Sequence, residues 1–160
     1  MTKNPYVIGF DPLNEPYPGD WINSPQLLLP GYFDRYRLQP MYERVFERYY
    51  KNDPDSIMFF EPAVWPDIMP YFGGVIRPVG FDSPPGATFG SRNHVLNDHT
   101  YCCQLSLTAC ATGEPSTDLV EECYAWHDKR IGTRRSDADV LGLPLIISEF
   151  GACLTDAACT

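Results

Sequence analysis

Continuous apolar stretches, rather than alternating ones, mark the strands of this chain. Tyr6-Val7-Ile8-Gly9-Phe10-Asp11 is a short apolar, β-branched run that gives way to a Pro-rich stretch from Pro12 to Pro30. It predicts a buried strand followed by a loop. Pro40 stands where a first helical turn tolerates proline. Behind it Met41, Val45 and Tyr49 recur at four-residue spacing, with Tyr42 and Phe46 alongside. An amphipathic helix is expected there, closed by Asn52-Asp53-Pro54. Ile57-Met58-Phe59-Phe60 predicts a second buried strand, ending at Glu61-Pro62. The Gly/Pro-rich residues from Ala63 to about Arg92 read as one long loop, and a loop of that length in a compact domain is usually functional.

The second half continues the same grammar. His94-Val95-Leu96-Asn97-Asp98-His99 predicts a third strand despite its polar positions. Asp118-Leu119-Val120-Glu121 has capping-box spacing, and Leu119, Cys123 and Trp126 follow at helical intervals. A second helical piece reaches Leu141, where Gly142 and Pro144 stop it. Leu145-Ile146-Ile147-Ser148 then gives a fourth buried strand, ending at Glu149-Phe150-Gly151. Four continuous apolar strands separated by helices or long loops indicate a parallel sheet in an α/β protein. In parallel barrels the chemistry sits at the C-terminal strand ends. Here Glu15, Glu61, His99 and Glu149 follow the four strands, and no internal repeat is visible.

Composition narrows the partners. The net charge of -9 argues against nucleic acid, whose phosphates call for an excess of Lys and Arg, but leaves neutral sugars open. No apolar run reaches the ~18 residues of a membrane span, and the first residues carry no secretory n-region or cleavage site. Aromatic residues make up 14% of the chain and serve packing first, with sugar stacking as the alternative use. Cys102, Cys103, Cys110, Cys123, Cys153 and Cys159 form no C-x-x-C pair, and the three histidines do not fall at zinc-ligand spacing. No metal site is expected. Disulfides in an oxidising compartment are, although spacing does not give their pairing.

Two motifs carry chemistry. Asn14-Glu15-Pro16 and Ile147-Ser148-Glu149-Phe150-Gly151 each put a carboxylate just past a strand, where burial is costly without a partner. Either glutamate alone reads equally well as a surface strand cap. With His99-Thr100-Tyr101 between them, in that order, the set resembles the strand-4, strand-6 and strand-7 signatures of glycoside hydrolase family 5. Asp11-Pro12-Leu13-Asn14-Glu15-Pro16-Tyr17-Pro18-Gly19, Phe59-Phe60-Glu61-Pro62 and Ser148-Glu149-Phe150-Gly151-Ala152 resemble the endoglycoceramidase branch of that family.

The resemblance implies an α/β fold, the (β/α)8 TIM barrel, of which residues 1–160 would be a partial catalytic domain covering strands 4 to 7. Strands 1 to 3 and strand 8 have no counterpart here, so the chain is expected to be the middle of a longer enzyme and inactive by itself. It implies a retaining β-glycosidase that cuts the bond between sugar and ceramide in glycosphingolipids, with Glu149 as nucleophile and Glu15 as acid/base. Asn14 would bind the sugar 2-OH, Tyr101 would hold the nucleophile, and His99 would orient Glu15 or the sugar. Trp65 would be a platform for sugar or lipid, and Glu61 would line the cleft. No cofactor and no obligate protein partner are implied. The substrate would be a glycolipid or oligosaccharide, met in transient contact with a membrane or micelle surface, in an extracellular, secretory or lysosomal compartment. A β-glucosidase or endoglucanase acting on glucan or sterol glucoside, and an inactive glycan-binding product, are the competing expectations.

Overall fold

The computed structural model describes residues 4–64, 68–69, 75–76, 78–87, 93–101 and 120–151. Its strands and helices follow in the order β1 (Gly9–Phe10), α1 (Gln39–Tyr50), β2 (Ile57–Phe60), β3 (Ile68–Met69), β4 (Val75–Ile76), β5 (His94–Tyr101), α2 (Val120–Leu141) and β6 (Leu145–Gly151). One four-stranded sheet has the order β1-β2-β5-β6, and each neighbouring pair is parallel. Parallel neighbours require crossovers from one end of the sheet to the other. α1 lies on the crossover from β1 to β2 and α2 on that from β5 to β6. The protein is thus an α/β fold built on a parallel sheet, as the apolar runs predict.

The core sits where α1 and the end of α2 cover the central strands. Leu38, Tyr42, Phe46, Met58, Phe60, Phe81, Leu96 and Ala138 form it. The buried stripe that runs from the N-cap Leu38 into α1 is therefore Leu38-Tyr42-Phe46, one position away from the Met41-Val45-Tyr49 stripe, which is only half-buried. Ring packing decides the rotation: Tyr42 lies 5.8 Å from Phe60 and 6.2 Å from Phe81, and Phe46 lies 4.5 Å from His94. Gly86, at φ +76°, lets its backbone lie against Phe46, because a Cβ there would meet the ring at 1.9 Å.

α2 is one continuous helix rather than two pieces. Its inward positions include Cys123, Trp126, Arg130, Arg134, Asp137 and Ala138, of which three are charged. Arg130 reaches Asp98 Oδ1 at 2.8 Å, and Arg134 reaches Asp98 Oδ2 and Asp137 Oδ2, each at 2.9 Å. Buried charges are tolerated only when paired in this way. The helix ends as expected at Gly142, φ +69°, with Leu143 N–H bonded to Ala138 O at 2.9 Å. The Asp118 cap lies outside the described residues.

Three further expectations change. The stretch read as one long loop carries the antiparallel pair β3–β4. β1 is two residues long, and Tyr6, Val7, Ile8 and Phe10 are exposed rather than buried. β6 alternates half-buried and exposed positions, with Phe150 75% exposed. Among the described residues β1 and β6 each pair on one side only and form the two edges of the sheet.

Candidate active site

The parallel sheet gathers the C-terminal ends of its strands at one end. Glu15 follows β1, Glu61 directly follows β2, His99 and Tyr101 close β5, and Glu149 stands near the end of β6. A register shift between Asp98 and His99 makes Glu149, not Ser148, the partner of His99. Such bulges re-aim a side chain, and here the acid is turned onto the same face as the histidine. Glu15 adopts φ +46°, and among the described residues no other residue except glycine is left-handed. That conformation costs an L-residue about 1–3 kcal/mol and persists only where its surroundings impose it.

His99 is 3% exposed and joins the two halves of the site. Its Nδ1 lies 2.9 Å from Glu15 Oε1 and 3.5 Å from Glu149 Oε2. Its Nε2 lies 3.1 Å from Ser148 Oγ and 3.4 Å from Glu61 Oε1. Tyr101 donates its hydroxyl to Glu149 Oε2 at 2.8 Å. One oxygen of Glu15, one of Glu149 and a His99 nitrogen all lie within 4.8 Å of one another. The side chains of Glu15 and Glu149 are 42% and 43% exposed, so the pair opens to solvent above a buried histidine. This trio also offers three ligand atoms that could hold a cation.

Beneath the pair lies a second, buried layer. Glu61 is 2% exposed and accepts the Glu15 backbone N–H at 3.0 Å. Asn97 donates to Asp11 at 2.8 Å and to Glu61 at 3.4 Å, and its Oδ1 accepts the Ser148 N–H at 3.3 Å. Burial pushes the Glu61 carboxyl up to about 8, with the nearby Asp11 and Asp98 acting in the same direction against the Glu15 N–H. Arg130 Nε donates to the His99 carbonyl at 2.7 Å, so the α2 ion network also fixes the backbone of the site histidine.

The structure thus brings together Glu15, His99, Tyr101 and Glu149. Asn14 sits beside Glu15 in the same turn and is exposed. Trp65 lies outside the described residues. Glu61 was visible as a strand-end glutamate, but its bond to the Glu15 backbone was not. Asn97 and Arg130 carry no motif that marks them.

Curated relatives show the same likeness as the motifs. The endoglycoceramidase of Hydra vulgaris is 33% identical over 101 residues, 63% of this chain and 18% of its own. That of Cyanea nozakii is 33% identical over 95 residues, 59% of this chain and 17% of its own. The chain is similar to these endoglycoceramidases over about three fifths of its length. The stretch it shares with them is less than a fifth of either relative's length. No family model matches the chain. No solved structure matches it.

Proposed function

We propose that this chain carries the catalytic pair of a retaining β-glycosidase that splits the bond between sugar and ceramide in glycosphingolipids. The observation that carries the reading is the approach of Glu15 and Glu149, one carboxylate oxygen of each lying within 4.8 Å of the other at one end of a parallel sheet. Retaining enzymes hold their two carboxyl groups about 5–5.5 Å apart, whereas inverting ones leave about 6.5–9.5 Å for a water. Both relatives carry the name endoglycoceramidase, which supports the choice of a glycolipid substrate.

In the first step a Glu149 oxygen attacks the anomeric carbon while the bond from that carbon to the ceramide oxygen breaks. Glu15 gives its proton to the departing oxygen, and a glycosyl ester forms on Glu149. Water then attacks the same carbon as Glu15 takes its proton. The ester bond breaks, and the sugar leaves with its configuration retained. Tyr101 binds Glu149 Oε2, leaving Oε1 as the attacking oxygen. His99 Nδ1 bridges toward both carboxylates, which supports a role in orienting them. Asn14 is assigned to the sugar 2-OH and Trp65 to a sugar or lipid platform. No step draws on a cation or cofactor.

In this reading β1, β2, β5 and β6 are strands 4 to 7 of a (β/α)8 barrel, and residues 1–160 are part of its catalytic domain. The reading includes an oxidising, secretory or extracellular setting, where a disulfide such as that of Cys123 persists. The substrate is met at a membrane or micelle surface. A 2-deoxy-2-fluoro-β-glucoside with a good leaving group tests the assignment, because slow turnover of the ester traps it. Mass spectrometry of the digested protein should find the label on Glu149. A label on Glu15 or Glu61 would overturn it.

A further inference from the structure

Glu61 is a buried acidic side chain that the proposed reaction does not use. Its backbone carbonyl accepts the Tyr42 hydroxyl at 3.0 Å, and Tyr42 is itself fully buried. Anchored there, the side chain reaches Glu15 by two routes. Oε2 accepts the Glu15 backbone N–H at 3.0 Å. Oε1 faces His99 Nε2 at 3.4 Å, and the opposite nitrogen of that ring meets Glu15 Oε1 at 2.9 Å. The residue after Glu15 is pinned as well, since Pro16 O accepts the Val64 N–H at 3.0 Å. Glu15 therefore holds its left-handed backbone between two bonds to the segment that ends β2. An acidic side chain 2% exposed beside Asp11, Asp98 and Glu15 is otherwise an unfavourable choice of residue.

We infer that Glu61 is a positioning residue, a clamp that holds the Glu15 backbone and the His99 ring so that the Glu15 carboxyl meets the leaving-group oxygen. The inference rests on the reading of Glu15 as the acid/base. It touches no reacting atom, so its loss should appear only where proton donation matters. A nitrophenol leaves without a proton, whereas an alkyl alcohol does not.

The test compares kcat/KM on 4-nitrophenyl and n-alkyl β-glucosides in the protein carrying this chain. Glu61→Ala, which removes the acceptor for the Glu15 N–H, should lower kcat/KM on the alkyl glucoside about 10- to 100-fold, with the nitrophenyl value within a few-fold. Glu61→Gln, which keeps an acceptor oxygen, should recover most of the loss. Tyr42→Phe keeps the ring in the core but frees the Glu61 carbonyl. It should show the same discrimination at smaller size and decides the matter if Glu61→Ala does not fold. Equal losses on both substrates in the folded variants would make Glu61 merely structural and overturn the clamp, as would no loss on either. Glu15→Gln is run in parallel. If it too fails to discriminate between the leaving groups, the acid/base reading itself falls. If it discriminates and the Glu61 and Tyr42 variants do not, only the clamp falls.

Discussion

Tyr101 on β5 and Glu149 on β6 meet through their side chains, with 2.8 Å between hydroxyl and carboxylate. That bond fixes which way the proposed nucleophile points, and a charge-assisted bond is worth about 1.5–3 kcal/mol. Tyr101→Phe should therefore lower kcat about 10- to 100-fold with KM moving little, as steady-state kinetics would show. An unchanged kcat would remove Tyr101 from the site. These residues were legible because His99-Thr100-Tyr101 and the two glutamate motifs are contiguous in sequence. The bond from Glu61 to the Glu15 backbone was not. It joins positions 46 residues apart and depends on φ +46° at Glu15, which no side-chain pattern records.

The elements that support the site differ in how far their sequences announce them. β2 was readable as an apolar run and β5 as a strand despite its polar positions, and Gly142 with Pro144 marked the end of α2. The buried face of α2 was not, because Arg130, Arg134 and Asp137 occupy it in place of the apolar residues of an amphipathic helix. Removing one partner of such a network leaves an uncompensated buried charge. Arg130→Met should cost about 3–5 kcal/mol in denaturant unfolding, against roughly ±0.5 for exposed Arg135→Met. Equal effects would mean that the Asp98 pairing contributes nothing. In α1 the choice between two adjacent stripes fell to aromatic packing. Gly86→Ala should push Phe46 out of that packing, since the added Cβ would lie 1.9 Å from its ring. A loss of about 1–3 kcal/mol is expected, and no loss would show that Phe46 repacks freely.

At the scale of the whole molecule, the parallel sheet was legible and the exposure of its outer strands was not. Apolar runs such as Tyr6–Phe10 state that a strand is meant to be covered, without stating by what. Stability should depend on pH through two buried groups. Burial raises Glu61 from 4.5 to about 8, so its contribution is full below pH 4.5 and lost as pH rises through 8. Burial lowers His94 from 6.5 to about 4, so its contribution is full above pH 6.5 and lost as pH falls through 4. Unfolding free energy against pH should pass through a maximum between these limbs. Glu61→Gln should flatten the alkaline limb, whose slope for one group approaches about 1.4 kcal/mol per pH unit. An unaltered limb in that variant would show that Glu61 is ionised in the fold throughout.

The division of labour between Glu15 and Glu149 is tested most directly by azide rescue in the protein carrying this chain. Glu15→Ala with a nitrophenyl β-glucoside should accumulate the glycosyl ester, because the first step needs little acid and the second has lost its base. Azide needs no base, so it should restore turnover and release the β-glucosyl azide. Glu149→Ala with azide should give the α-azide, from direct attack in place of the ester. The opposite pattern, α-azide from the Glu15 variant and β-azide from the Glu149 variant, would contradict the assignment.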